Sequence, residues 1–264
     1  MVKLLRRITG KKGRDGEGLF LVEGANLIGE AMKSGAAIRA IIRRADGMDE
    51  AAEGPAPLPD IERVFLAPVL FDGIAETVTP KPVMAVVEIP EWDVSVLSDP
   101  APGLDGNEGW IVMDRLQDPG NAGAMMRTAD AAGFRGVIAV KGTVDLFSGK
   151  AVRAAAGAVF RLPVIKAESG DEALDLLRIN GIRSVACRMD AGLAYDRANL
   201  TGKAALIIGN EGRGLSDAFI KGADMSVRIP MSSQTESLNA AIAAAVLMFE
   251  KRRQDAEQTG PTVG

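Results

Sequence analysis

The chain has 264 residues, enough for one large domain or two modest ones with real cores, and its 47% hydrophobic and 25% charged residues are an ordinary globular mixture. It has no histidine and one cysteine, Cys187. That excludes Ser-His-Asp and Cys-His catalysis as usually built and an internal disulfide framework, and it argues against a zinc site, so no metal is expected. The net charge of −4 speaks weakly against a generic nucleic-acid binder, but the charge is unevenly spread. Residues 1–14 carry Lys3, Arg6, Arg7, Lys11, Lys12 and Arg14 with no acid, whereas 88–108 carries only acids. The basic opening reads either as a solvated helix end or as an arm that contacts phosphates. No apolar run approaches the roughly 20 residues that cross a bilayer, and the opening lacks the apolar core of a signal peptide. With its lone cysteine, the chain is expected in the cytoplasm.

In chain order, "GLFLVEG" predicts a strand and "ANLIGEAMKSG" a helix closed by Gly35. "AIRAIIRR" reads as a strand, "MDEAAEGPAPLPDIE" as a short helix at most followed by a Pro-rich loop, and "RVFLAP" as a strand. "VLFDGIAETV" predicts a short helix and "PVMAVVEIP" a strand, which together make a small α/β domain over 1–90. Residues 91–108 are acidic, contain Pro and Gly, show no period and read as a linker. A second domain over 109–254 then alternates strands ("GWIVMD", "GVIAV", "IRSVACR", "KAALIIG", "DMSVRIP") with helices. The helices are "NAGAMMRTADAAGF", "SGKAVRAAAGAVF", "DEALDLLRING", "SDAFIKGA" with Ser216 at its N-cap, and the run ending at Glu250. Continuous apolar strands alternating with helices predict a parallel sheet covered on both faces, with ligands at the carboxyl ends of its strands. Residues 255–264 read as a flexible tail.

Three unusual stretches fall at such strand ends. "DRLQDPGNAGAMMRTADAAG" forces a turn at Pro119-Gly120, sets Asn121 at a helix start and places Arg127 within the helix. "IIGNEGRGLS" allows close backbone approach at Gly209, Gly212 and Gly214 and carries Glu211, a carboxylate that packing does not require. It is neither the dinucleotide fingerprint nor a P-loop. "IPMSSQTESLNAAIAAAVLMFE" runs six polar residues into a helix that is apolar all round. Ser233 and Glu236 fit a capping box there, and Ser237 could equally cap. An alanine-rich helix without a polar face is either interior to one domain or shared between the sheet and a second subunit.

Together, in order and spacing, these stretches resemble the SpoU–TrmH branch of the SPOUT methyltransferases, which transfer methyl from S-adenosylmethionine to a ribose 2'-hydroxyl of RNA. The resemblance spans roughly 110 to 250. "KKGRDGEGLFLVEGANLIGEAM" is similar to that family's ribosomal-protein-L30e-like RNA-binding domain, and "SGKAVRAAAGAVFRLPV" to the segment between its first two motifs, where Ala155 stands in place of a frequent serine. The resemblance implies a C-terminal α/β SPOUT domain with a deep trefoil knot and a homodimer with the active site near the interface. Carried over by position, Asn121, Arg127, Glu211, Ser237 and Asn239 are the expected catalytic residues. The expected cofactor contacts are Leu206, Ile208, Gly209, Asn210 and Gly214, then Ile229, Pro230 and Met231, then Ser237, Leu238 and Asn239, largely through backbone groups.

The family's proposal makes the arginine of the first motif, here Arg127, the proton acceptor. A guanidinium is a donor only, with a pKa above about 12, so holding a phosphate and stabilising developing alkoxide charge suits it better. On this reading Asn121 orients the ribose or Arg127, Glu211 fixes Arg127 or the loop, and Ser237 and Asn239 fix loop geometry and substrate. The expected function is 2'-O-methylation of structured RNA, ribosomal rather than transfer RNA because of the additional N-terminal domain. Lys3, Arg6, Arg7, Lys11, Lys12 and Arg14 are its candidate RNA contacts. The same activity on transfer RNA and a non-catalytic RNA-binding or assembly factor are the alternatives; a nucleotide-dependent oxidoreductase is disfavoured by the reversed glycine spacing.

Overall fold

A computed structural model describes residues 1–46, 61–77, 79–98, 107–232 and 237–259. The chain forms two compact units. The first comprises Met1–Glu91 together with Asp145–Arg161, a run that lies inside the expected 109–254 domain; the second comprises Trp92–Val144 and Leu162–Gly264.

The first unit opens with two short helices, α1 (Val2–Ile8) and α2 (Lys11–Glu17). They approach so closely that a side chain at Gly13 would run into the Arg7 carbonyl. Strands β1 (Leu19–Glu23), β2 (Ile38–Arg44), β3 (Glu62–Leu66) and β4 (Val83–Glu88) form a mixed sheet in the order β1-β4-β2-β3, and only β2 and β3 are parallel. Helix α3 (Ala25–Lys33) ends with Gly35 at positive φ, as the glycine predicted. Helix α4 is Pro68–Asp72. One face of the sheet packs Leu5 and Ile8 of α1 and Phe71 of α4 against Ala40, Ile42, Leu66, Met84 and Val86. Helix α6 (Gly149–Ala155) packs against β1, and Phe20 meets the rings of Phe147 and Phe160 at centroid distances of 5.2 and 6.1 Å. The alanine-rich run after Ser148 reads as one helix but breaks, because Ala156 and Gly157 take left-handed conformations.

The second unit is a seven-stranded, wholly parallel sheet, as its continuous apolar strands require. The order is β7-β6-β5-β10-β8-β11-β9, with β5 Gly109–Asp114, β6 Gly136–Val140, β7 Val164–Ala167, β8 Arg183–Cys187, β9 Leu193–Ala194, β10 Ala204–Gly209 and β11 Met225–Arg228. Strands β7 and β9 are too short to show as apolar runs. One face buries Trp110, Val112, Ile138 and Ile207 beneath α7 (Gly170–Ile179), α8 (Asp217–Gly222) and Leu97. The other side carries α5 (Pro119–Ala131), packed on α9 (Ala240–Thr259), which itself contacts β10. Leu97 shows that the acidic stretch expected to be only a linker contributes to this core.

Helix α9 runs to Thr259, into the stretch expected to be flexible. Its last turns are tied down. Gln254 Nε2 donates to the Ala198 carbonyl, Leu200 N donates to Gln254 Oε1, and the buried Lys251 Nζ donates to the Gly202 carbonyl at 2.8 Å and to Asp255 at 2.6 Å. Among the described residues no helix is long and apolar enough to cross a membrane, and no cluster of acids or Cys187 suits a metal.

Candidate active site

The sheet order places the carboxyl ends of β5, β10, β8 and β11 side by side. At the spacing of sheet strands, the loops after β10 and β11 leave two positions apart, about 10 Å. Each of the three unusual stretches begins at one of these ends.

The first stretch turns sharply after β5. Asp114, fully buried, ends the strand and accepts from Ser216 N at 2.6 Å and from Arg115 Nε at 3.0 Å, so it ties this turn to the far end of the second stretch. Arg115 sits at φ 58°, an uncommon conformation for a residue with a side chain. Its carbonyl accepts from Asn210 Nδ2 at 2.8 Å and from Gln117 Nε2 at 3.0 Å. Asp118 caps α5 by accepting from Asn121 N, and the Asn121 side chain is left for other work.

The second stretch closes on itself. Asn210 and Gly214 exchange both backbone hydrogen bonds, and Asn210 Oδ1 accepts from the amides of Gly212 and Arg213. Gly209 must lack a side chain: a Cβ there would stand 2.5 Å from the Gly214 carbonyl carbon. Gly214 takes φ +66°.

A line of side-chain hydrogen bonds then joins all three stretches. Asn239 Nδ2 donates to Asn121 Oδ1 at 2.9 Å, and Asn121 Nδ2 donates to Glu211 Oε1 at 2.9 Å. Glu211 also accepts from the backbone amides of Gln117 and Asp118 at 3.2 and 3.3 Å. Burial pushes the Glu211 carboxyl up, but the bonds from Asn121 and the backbone amides outweigh it and hold the group below the usual carboxylate range. Asn239 Oδ1 accepts from Ala241 N and Ile242 N, so Asn239 is the cap of α9. The capping box expected from Ser233 and Glu236 lies outside the described residues. Ser237 and Leu238 are exposed just before the cap.

A family model described as the SpoU rRNA Methylase family matches residues 109–249. The chain belongs to this family. A second model, the MRM3-like substrate binding domain, matches residues 1–85. The chain is 33% identical, over 95% of both sequences, to the Bacillus subtilis 23S rRNA (guanosine(2553)-2'-O)-methyltransferase RlmP. It is 34% identical to the Streptomyces viridochromogenes 23S rRNA (uridine(2479)-2'-O)-methyltransferase, over 92% of this chain and 85% of that one. The crystal structure of the SpoU methyltransferase AviRb from the same organism, in complex with AdoMet, superposes with a TM-score of 0.88 at 29% identity, covering 98% of each chain.

As a SpoU methylase the chain brings Asn121, Glu211 and Asn239 into one bonded set but leaves Arg127 outside it. Arg127 is exposed on α5 and makes no hydrogen bond or ion pair to a described residue. It lies six positions along the helix from Asn121, about 9 Å of rise and on a different face. Of the two roles expected for Glu211, fixing the loop is therefore the one its bonds serve. Leu206 is set back from the surface, laddered on both sides to Ile111 and Val185, and Ile208 is buried. Ile229, Pro230 and Met231 follow β11, with Pro230 exposed and its neighbours half-buried. Ser216 stands at the N-cap of α8 without a side-chain cap bond. Asp114 and Gln117 are positioning residues absent from the predicted set; the only signal for Asp114 is a carboxylate closing the otherwise apolar strand "GWIVM".

Among the basic candidates, Lys3, Arg6, Arg7, Lys11 and Lys12 are exposed, Arg7 beside Glu17. Arg14 is a correction. It is buried, with its guanidinium on Asp145 at 2.7 Å and on the carbonyls of Ile8 and Thr9, so it is committed to the first unit's interior and offers nothing to a phosphate.

The bonded set predicts the behaviour of Glu211→Gln. An amide at this position cannot accept from all three donors, and cofactor affinity is expected to fall about tenfold, the scale of one well-made hydrogen bond to a charged group. Glu211 is ionised above its lowered folded value, so wild-type affinity is flat through neutral pH and declines only as acid protonates the carboxylate; in Glu211→Gln that acid decline is absent. Calorimetric titration with S-adenosylhomocysteine across pH measures both, and an acid limb retained in the variant would assign it to another group.

Proposed function

We propose that this SpoU methylase transfers a methyl group from S-adenosylmethionine to a ribose 2'-hydroxyl of ribosomal RNA. The observation that carries the reading is the hydrogen-bonded line Asn239–Asn121–Glu211, which joins the three loops at the carboxyl ends of adjacent parallel strands. The donor set fits the cofactor. The turn from Gly209 to Gly214 and the run Ile229–Met231 offer backbone groups, Leu238 offers exposed aliphatic surface, and the described carboxylates Asp114, Asp118 and Glu211 are occupied by bonds within the site.

When bound, S-adenosylmethionine supplies a methyl carbon made electrophilic by its sulfonium sulfur. The protein's part is alignment and charge. Gly209 and the Asn210–Gly214 turn, with Ile229, Met231 and Leu238, hold the cofactor. Glu211 holds Asn121, which is left to orient the ribose, and Asn239 fixes the start of α9 beside it. Arg127, with no partner among the described residues, holds an RNA phosphate and stabilises the negative charge that grows on the 2'-oxygen. The exposed bases of α1 and α2 add sequence-independent attraction.

The active form on this reading is a homodimer. Ile242 and Phe249 leave one face of α9 apolar and exposed, two helical turns apart, while the opposite face is buried on α5 and β10. A second copy covering that face explains a helix apolar all round; sedimentation equilibrium returning only a monomer would remove this element. The function itself is tested by incubating the enzyme with methyl-labelled S-adenosylmethionine and either ribosomal or transfer RNA, then digesting with alkali. Label in alkali-resistant dinucleotides from ribosomal RNA is expected. Label confined to bases, or to transfer RNA, overturns the reading in its chemistry or its substrate.

A further inference from the structure

Arg115 sits at φ 58°, and a residue with a side chain stays in that left-handed region only where its surroundings hold it. Its side chain is held by Asp114, and its carbonyl by Asn210 and Gln117. The amide is held by a residue that belongs to none of the three stretches. Thr143, half-buried on the turn after β6, accepts from Arg115 N at 3.1 Å, and the same hydroxyl donates to the Met113 carbonyl at 2.8 Å. One side chain thus binds the peptide groups on both sides of Asp114, just beyond the last registered pair of β5 and β6, Met113 with Ala139. Its neighbours extend the grip: Val144 N donates to the Leu116 carbonyl at 2.8 Å, and the Gly142 carbonyl accepts from Gln117 Nε2 at 2.8 Å.

What this turn holds is the approach to the methyl-transfer site. Shortly after Arg115, the amides of Gln117 and Asp118 are the backbone donors to Glu211, and Asp118 caps α5 at Asn121. The direction in which residues 116–118 leave β5 is set at Arg115, and an extended or helical residue there would turn those amides elsewhere. The turn after β10 closes through its own bonds between Asn210 and Gly214. The Thr143 hydroxyl therefore bears chiefly on the first loop, the one that carries Asn121.

A hydroxyl that served only to end β6 would bond within its own turn. Both bonds of Thr143 instead reach the end of β5, 28 and 30 residues back in the chain. We infer that Thr143 is a positioning residue for methyl transfer: its hydroxyl holds Arg115 in the left-handed conformation that aims the first loop at Glu211 and sets Asn121. This role rests on the reading of the protein as an RNA 2'-O-methyltransferase and adds to it a residue outside the three loops that form the site.

The test uses the full-length enzyme, S-adenosylmethionine and an in vitro transcript of bacterial 23S ribosomal RNA. Thr143→Val, which keeps the shape and removes the hydroxyl, is expected to lower kcat about tenfold with KM for RNA unchanged, the scale of one buried hydrogen bond lost from a loop that aligns reacting groups. Thr143→Ser, which returns the hydroxyl, restores a near wild-type kcat. Arg115→Gly tests the route, because glycine takes a positive φ without help; in that background Thr143→Val is expected to lower kcat by no more than about twofold. A loss of the full size in the Arg115→Gly background overturns the role, and so does a wild-type kcat in Thr143→Val. A rise confined to KM for RNA overturns it as well, since it would make Thr143 a binding residue. Should valine prevent folding, Thr143→Ala against Thr143→Ser makes the same comparison. Failure of the wild-type enzyme to methylate any RNA would instead overturn the functional reading, whereas normal methylation by the wild type that Thr143→Val matches overturns the role of Thr143 alone.

Discussion

Arg127→Ala loses methyl transfer by two to three orders of magnitude in kcat while binding S-adenosylhomocysteine as the parent does. The size is that of removing one donor from a preorganised charge-stabilising site, about 10²–10³ in rate. The selectivity follows from placement. Arg127 is exposed, projects from a different face of α5 than Asn121, and shares no bond with the Asn239–Asn121–Glu211 line, so its removal leaves the loops held. Thermal stability is expected to be unchanged, because no packed or bonded group is disturbed. Arg127→Lys separates two kinds of contact: a point charge that suffices for a phosphate keeps much of the rate, whereas a fork that needs two donors does not. Single-turnover rates with calorimetry decide the matter. Equal loss of cofactor affinity and rate would place Arg127 in the pocket itself.

Gly209→Ala has the opposite signature. The added methyl would stand 2.5 Å from the Gly214 carbonyl carbon and 2.6 Å from Leu215 N, both backbone atoms that no side-chain rotation can move away. The turn must open, and with it the paired bonds of Asn210 and Gly214 and the reach of Asn210 Nδ2 to the Arg115 carbonyl. Overpacking of this kind costs about 1–3 kcal/mol in stability. A lower melting temperature and at least a tenfold loss of cofactor affinity are expected together, with kcat at saturating cofactor less affected than in Arg127→Ala. A variant that melts like the parent and binds cofactor normally would show that the turn has room the backbone does not display.

Most strands are legible because their buried stretches leave apolar runs such as "WIVM" and "ALII", and because glycine and proline punctuate their ends; β7 and β9 are too short to leave one. The three loops were legible because polar and glycine-rich residues stood where packing gives no reason for them. What escaped has a common physical cause: long-range arrangement leaves no local pattern. No period in "GWIVMD" shows that Asp114 will accept the Ser216 amide across the sheet, and none in residues 1–14 distinguishes buried Arg14 from exposed Arg6. Arg14 has the sequence of one more surface base, and its burial depends on Asp145, 131 residues on. Asn239 is expected to fix loop geometry, and the capping of α9 by its Oδ1 and the bond of its Nδ2 to Asn121 show the contacts that do so, neither of them visible in the sequence. The insertion of β10 between β5 and β8, which puts the glycine turn beside the first loop, is likewise a fact of topology alone.

The first unit is assembled from two separated runs of chain, and this bears on how the protein can be cut or recombined. A fragment ending at Glu91 would lack Phe147 and Phe160 against Phe20 and would leave Arg14 as a buried cation without Asp145. Losing one partner of a buried pair costs about 3–5 kcal/mol, a large share of what a unit of this size has to spare. The first unit is therefore not a bead on a string. Moving this unit into another enzyme is expected to require the excursion between β6 and β7 along with the N-terminal run, and a chimaera carrying only the latter is expected to be less stable.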